Sequence, residues 1–361
     1  MLDLNSLEEM RKVDAANMLE VLWNLPEQCE EAWQRGMAAA LGSLPEVCGS
    51  GEGVAQVMVT GLGGSAIGGD LLRVYAQEEA SIPFAVNRDY LLPAYVGPRT
   101  LVFAVSYSGN TEETLSAYDD ARRRGAKIVA LTSGGRLAEK AAADGFPVIL
   151  VPGGISPRSA SGYLFLPMIA VLQRLGILAD ASAQVEEACA LLRRMRENLG
   201  PSCPEEENLS KQLARKFYQR LPVIYGTSGT TETVAVRWKG QINENSKAMA
   251  YYNVFPELNH NEIVGTEKPD PLLQRLELVF LVDSADHPRV QARRQITQEL
   301  IGERVGGISW VEAQGTSRLA RIYSLIYVGD YASVYLALLY GIDPTPVRLI
   351  DCLKQRLAEA R

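Results

Sequence analysis

Short runs of Val, Ile and Leu recur through the first half of the chain: Val54–Thr60, Pro83–Asn87, Thr100–Val105, Lys127–Thr132 and Pro147–Pro152. Helix-like segments such as Asn110–Arg124 and Arg136–Asp144 lie between them. Short apolar strands alternating with helices predict βαβ units and a parallel sheet. The same pattern restarts at Pro222–Tyr225 and continues through strands at Leu276–Val282 and Gly307–Val311, with helices expected over Thr230–Asn243, Arg289–Arg304 and Ser317–Tyr340. Ahead of the first strand, Leu7 to Leu22 carries helical spacing. Between the halves, Asp180 to Arg220 is charged and helical, broken by Pro201-Ser202-Cys203-Pro204. The expected division is a helical segment over 1–45, a first α/β unit over 46–178, a helical connector over 179–220, a second unit over 221–343 and a tail helix over 344–361.

The two halves also open alike. Gln56-Val57-Met58-Val59-Thr60 runs into Gly61-Leu62-Gly63-Gly64-Ser65, and Val223-Ile224-Tyr225 runs into Gly226-Thr227-Ser228-Gly229-Thr230. One doubly wound unit used twice is the economical reading.

Composition narrows the partners. The chain has 361 residues, 47% hydrophobic and 22% charged, enough for two or three domains with cores of their own. A net charge of −7 argues against nucleic acid, whose phosphates call for a basic face. No run reaches the roughly 20 apolar residues of a membrane span; Tyr163 to Leu178 is interrupted by Gln173 and Arg174, and no signal peptide is visible. Cys29, Cys48, Cys189, Cys203 and Cys352 are odd in number and scattered, so they read as reduced thiols of a cytoplasmic protein. With only His260 and His287 beside them, no metal site is expected.

Gly61-Leu62-Gly63-Gly64-Ser65-Ala66 after a strand fits a dinucleotide fingerprint, and Arg88 would suit a 2′-phosphate. Yet position 81 is Ser where a ribose-binding acid would stand, and Asp89 falls past the strand end. A second loop, Ser106-Tyr107-Ser108-Gly109-Asn110-Thr111-Glu112-Glu113-Thr114, tips the balance. Ser65, Ser106, Ser108 and Thr111 would meet at the carboxyl ends of adjoining strands, where hydroxyls and helix N-terminal amides form a neutral cradle for a phosphomonoester. Any one of these residues would more often be a helix cap; four in one crevice favour the phosphate.

The Ser106–Thr114 loop closely resembles the phosphosugar loop of sugar isomerase (SIS) domains. With Gln241-Ile242-Asn243-Glu244-Asn245-Ser246-Lys247 and Pro256-Glu257-Leu258-Asn259-His260-Asn261-Glu262, the chain resembles the bifunctional phosphoglucose/phosphomannose isomerases, as far as Asp343-Pro344-Thr345-Pro346-Val347. The resemblance implies two tandem SIS domains with doubly wound, mainly parallel five-stranded sheets, and an aldose–ketose isomerase of sugar phosphates with no cofactor. Gly63, Gly64, Ser65, Ser106, Ser108 and Thr111 would hold the phosphate. Glu244 would be the base of a cis-enediol proton transfer, Arg158 the stabiliser of the enediolate, and Lys354 an aid to ring opening. His260 would move a ring-opening proton and be lent by the neighbouring subunit of a homodimer. Thr345, a short hydroxyl residue, would leave room for rotation about C2–C3, so that both C2 epimers reach one base.

Each assignment has an ordinary competitor: Glu244 as a solvated helix residue, His260 and His287 as surface residues, Lys354 as a solvated charge on an amphipathic helix. Three other functions compete. A non-catalytic SIS phosphosugar regulator would need the hydroxyl cradle without Glu244, His260 and Arg158, and no DNA-binding segment precedes the first unit. A glucosamine-6-phosphate synthase would need a glutaminase domain that about 45 helical residues cannot form. A nicotinamide-dependent dehydrogenase rests on the Gly61–Ala66 fingerprint, and a cofactor-binding assay would settle it.

Overall fold

The computed structural model describes residues 2–42, 44 and 53–359. Cys48 and the expected start of the first unit at 46 lie outside them. The chain opens with α1 (Leu7–Val13), α2 (Met18–Trp23) and α3 (Leu25–Met37). The single helix expected over Leu7–Leu22 is thus two. The Asp14 carboxylate accepts from the amides of Met18 and Leu19 at 2.8 and 2.9 Å, ending one helix and capping the next.

The first sheet follows as β1 (Gln56–Thr60), α4 (Gly64–Ala76), β2 (Phe84–Asn87), β3 (Thr100–Val105), α5 (Glu112–Arg123), β4 (Lys127–Thr132), α6 (Gly135–Ala143) and β5 (Val148–Leu150). Its five strands are parallel in the order β2-β1-β3-β4-β5, and the sequence pattern located all of them. A 3-10 turn, Pro157–Ser159, leads to α7 (Ser161–Arg174), and then to α8 (Ser182–Leu199) and α9 (Leu209–Phe217) in the expected connector.

The second half comprises β6 (Leu221–Thr227), α10 (Glu232–Asn245), β7 (Tyr251–Phe255), α11 (Asp270–Leu273), β8 (Leu276–Val282), α12 (Pro288–Ile301), β9 (Gly307–Glu312), α13 (Arg318–Leu339) and α14 (Arg348–Glu359). Its sheet order is β7-β6-β8-β9, again parallel. The order repeats that of the first sheet without a fifth strand, which corrects the expectation of two five-stranded sheets. After β9 the chain passes Gly315 and the Ser317 cap straight into α13 instead of returning to the sheet. The strand missing from the sequence reading is β7. As an edge strand with Tyr251 and Tyr252 exposed, it lacks the continuous apolar run that marks its neighbours.

Helix α13 is long and apolar enough to cross a membrane, with mean hydropathy 1.4, but that window is entirely buried inside the protein. Its tyrosines tie distant elements to it: Tyr327 donates to Leu22 O at 2.9 Å and Tyr335 to Leu199 O at 2.7 Å. Trp238 of α10 sits against Gly329, where any Cβ would lie 2.2 Å from the indole, and its Nε1 donates to Leu325 O. Helices α3, α7, α8, α9 and α13 join one face of each sheet in a shared core. The other faces are sealed separately, by α5 and α6 on the first sheet and by α12 on the second. At about 1.5–3 kcal/mol per fully buried large apolar side chain, this shared core dominates the stability and sets how the halves meet.

Candidate active site

Strands β1 and β3 are neighbours, with Thr60 opposite Ala104, so the loops that follow them leave the sheet side by side. Gly63 adopts φ +54°, a left-handed conformation suited to glycine, and opens α4. Ser65 lies buried in the first turn of that helix. On the neighbouring loop, the Ser106 and Thr111 hydroxyls share a hydrogen bond of 2.9 Å. Thr111 occupies the N-cap position of α5, yet its side chain does not bond the helix amides. Gly109 (φ +70°) packs so closely on Gly134 O that no other residue would fit. Ser108 stays exposed, accepting from Asn110 N at 3.3 Å. Two helix N-termini and these hydroxyls therefore open onto one crevice at the sheet's carboxyl edge.

Gly64 connects this cradle to Arg158. A Cβ on Gly64 would lie 2.7 Å from Pro157 O and 3.4 Å from Arg158 Cα, so only glycine lets the 3-10 turn approach. The N-terminal helices brace that turn from behind. Gln28 Nε2 donates to Ser159 O at 3.0 Å and its Oε1 accepts from Gly162 N at 2.8 Å.

Arg158 is only 5% exposed. Its Nε donates to Asn245 Oδ1 at 2.6 Å, and its Nη2 to Pro344 O and Thr345 O, each at 2.8 Å. Its Nη1 lies 3.5 Å from Glu244 Oε2. Burial lowers the guanidinium pKa, and the Glu244 and Asp343 carboxylates oppose that shift. Behind it, Arg237 bonds Arg158 O at 2.8 Å and pairs with buried Asp330 at 2.5 Å, anchoring the turn to α13.

Glu244 stands in the last turn of α10, with its side chain 32% exposed and bordering a cavity of about 640 Å³. Asn243, Lys247, Asp343, Val347 and Ile350 also line this cavity. The Lys247 ammonium donates to Asn245 O, Asp343 O and Pro344 O at 3.1, 3.1 and 2.7 Å. The segment 343–347 is thereby drawn across the end of α10. Thr345 N–H bonds Asp343 Oδ1 at 2.9 Å, and the buried Thr345 hydroxyl oxygen has no partner among the described residues. Two other cavities of about 440 Å³ lie beside α2, lined by none of the predicted site residues.

His260 is not brought to this cluster within the chain. It is exposed in the 3-10 turn Glu257–His260 after β7, without a hydrogen bond among the described residues. Its neighbours are tied down: Glu262 accepts from Tyr225 at 2.5 Å and also from Asn253, while Asn259 donates to Thr297 at 3.0 Å. Glu244 precedes the start of β7 and His260 follows its end. That strand alone spans about 16 Å at roughly 3.3 Å per residue. Lys354 sits on α14, exposed and unbonded to the cluster. His287, read as a surface residue, is exposed and caps α12 by accepting from Arg289 N at 3.1 Å. Arg88, weighed as a 2′-phosphate partner, pairs with Asp70.

The second sheet has a matching crevice, but a carboxylate of the chain fills it. Asp286 accepts from Thr230 Oγ1 at 2.5 Å, from Asp283 N at 3.1 Å and from Arg294. Sequence reasoning assigned no role to Asp286, Arg237, Lys247 or Glu262. The last two lay inside the quoted motifs, so their proximity to Glu244 and His260 was the available signal.

Residues 54–144 match the SIS domain family, and residues 206–357 match the family described as bacterial phospho-glucose isomerase C-terminal SIS domain. A bifunctional phosphoglucose/phosphomannose isomerase of Caldicellulosiruptor bescii is 53% identical, covering 95% of this chain and 100% of its own. One from Aquifex aeolicus is 38% identical, over 83% and 90%. The crystal structure of a glucose-6-phosphate isomerase like protein from Thermus thermophilus shares the fold, with TM-score 0.65 at 20% identity over 97% of this chain and 100% of that one. The sequence identity along nearly the whole chain, with both halves matched, makes this protein a member of the bifunctional phosphoglucose/phosphomannose isomerase family.

Proposed function

We propose that this protein interconverts glucose 6-phosphate and mannose 6-phosphate with fructose 6-phosphate. The observation that carries the reading is the continuous path from the hydroxyl cradle through Gly64 to Arg158 and on to Glu244, 3.5 Å further. A phosphate held by Ser65, Ser106, Ser108 and Thr111 leaves the sugar chain to extend toward Arg158. In the open-chain form, Glu244 carries the proton between C2 and C1. Arg158 faces the oxygen on which enediolate charge develops, and its burial strengthens that interaction. Its remaining donors are taken by Asn245, Pro344 and Thr345, so the cation is held in place before substrate arrives.

The unpartnered Thr345 hydroxyl suits a sugar oxygen, and its small volume allows both C2 epimers to present their proton to Glu244. Ring opening needs a proton carrier beyond this cluster. His260 fills that role from a second copy of the chain, since β7 separates it from Glu244 of its own protomer, and Lys354 assists from the tail helix. The active form is then a homodimer with two composite sites. Cys29, Cys189, Cys203 and Cys352 are free thiols, which suits work in the cytoplasm. A phosphosugar sensor would need the cradle but no buried arginine aimed at a carboxylate. Incubation with fructose 6-phosphate, scoring both aldose products separately, decides between them: both should form, and binding without turnover would overturn the isomerase reading.

A further inference from the structure

Lys247 occupies a backbone position that sequence economy would give to glycine. It follows the Ser246 cap of α10 with φ +53°, the left-handed conformation that usually ends a helix on glycine. A β-carbon there carries a conformational cost, retained when the side chain is needed. All three ammonium hydrogens are directed at backbone carbonyls: Asn245 O at the end of α10, and Asp343 O and Pro344 O on the segment leading to Thr345. Pro344 O also accepts from Arg158, so one carbonyl is held between two cations.

We propose that Lys247 is a positioning residue of the isomerase site: with Arg158 it clamps segment 343–345 against the end of α10 and so fixes Thr345 relative to Glu244. This rests on the isomerase reading for its kinetic consequences; the clamp itself does not. Without the ammonium, among the described residues Asp343 O loses the side-chain cation placed on it and Pro344 O keeps Arg158. The segment then moves with respect to the sugar's C2–C3 end, while the phosphate cradle, built on the other sheet, is unaffected.

The charge at this position depends on pH. Partial burial of the ammonium, with the Arg158 guanidinium nearby, pushes Lys247 down to about 8, opposed by Asp343 and Glu244. Arg348 on α14 and Lys239 on α10 are the other charged groups lining the adjoining cavities. Deprotonation leaves an amine with two hydrogens for three carbonyls, so the clamp weakens as pH rises through that value.

The test is Lys247→Gly, which removes the side chain and relieves the backbone, beside Lys247→Met, which keeps an aliphatic side chain but removes the ammonium with its charge and its donors. Amide hydrogen exchange at Thr345, whose N–H bonds Asp343 Oδ1, should be tenfold faster or more in both variants, with the melting temperature of Lys247→Gly not below that of the wild type. In turnover, kcat should fall tenfold or more with KM within about threefold, and the ratio of mannose to glucose products should change; the wild type should lose kcat above pH 8, and the variants should not. Lys247→Arg should restore slow exchange. Wild-type exchange at that amide in Lys247→Gly would overturn the clamp. Faster exchange with unchanged kcat and product ratio would overturn its bearing on the reaction. A wild-type protein that turns over neither substrate would instead overturn the isomerase reading, and the exchange data would still decide the clamp.

Discussion

Mixing two inactive variants should regenerate active enzyme. If every site joins Glu244 of one protomer to His260 of the other, Glu244→Gln and His260→Ala each destroy both sites of their own homodimer. A hybrid dimer holds one doubly damaged site and one with both groups intact. At a 1:1 mixture with free exchange, half the dimers are hybrids and half their sites work, so activity should approach about one quarter of the wild-type value. The structure supports a two-chain site because the two residues lie beyond opposite ends of β7, about 16 Å of strand at roughly 3.3 Å per residue, whereas direct proton relay needs about 3 Å. Each variant alone should retain 1% or less of the activity, as expected on removing a general acid or base worth about 10²–10⁴. The assay follows glucose 6-phosphate formed from fructose 6-phosphate, with hybrids carrying different tags on their two chains and isolated by sequential capture. Tagged hybrids with no activity above the parents would refute the shared site, as would a His260→Ala protein of near wild-type rate.

Glu244→Gln should lower turnover on the order of 10³-fold while fructose 6-phosphate still binds, read by calorimetry; a loss under tenfold removes Glu244 from the role of base. Thr345→Gln should fill the space beside the open chain and cost the mannose reaction about 1–3 kcal/mol more than the glucose reaction, as the ratio of their kcat/KM values; equal losses would leave epimer tolerance to another residue. Asp286→Ala should destabilise the fold by about 3–5 kcal/mol in denaturant melts, since it leaves Arg294, 1% exposed, without its carboxylate; Asp286→Leu combined with Arg294→Met should recover much of that loss. Among the described residues no group of three or more His, Cys, Asp or Glu side chains is placed so that it could hold a metal ion. Prolonged chelation should accordingly leave both activities intact, and a loss restored by added metal would contradict that.

The strands of the first sheet were legible because their signal is local: each is a short apolar run bounded by turn residues, and Leu276–Val282 reads equally well at both ends. The hydroxyl loop was legible for the same reason, since Ser106 and Thr111 are five positions apart and the geometry of one strand-to-helix loop joins them. Strand β7 escaped because an edge position leaves two of its five residues in solvent and erases the apolar run. Of Glu244, His260 and Arg158, no residue could be distinguished by periodicity; resemblance singled them out.

What the chain determined by itself is its alternation of strands and helices, its repetition of one unit and the hydroxyl loop at the first sheet's edge, all products of neighbours in sequence. Only the tertiary structure decided that Arg158 meets Asn245 across 87 positions and Thr345 across 187, that Lys247 grips the same segment, and that Asp286 fills the second crevice. Buried charges must find partners wherever the shared core brings them, and the burial that makes each pairing necessary arises when the two halves close on α13.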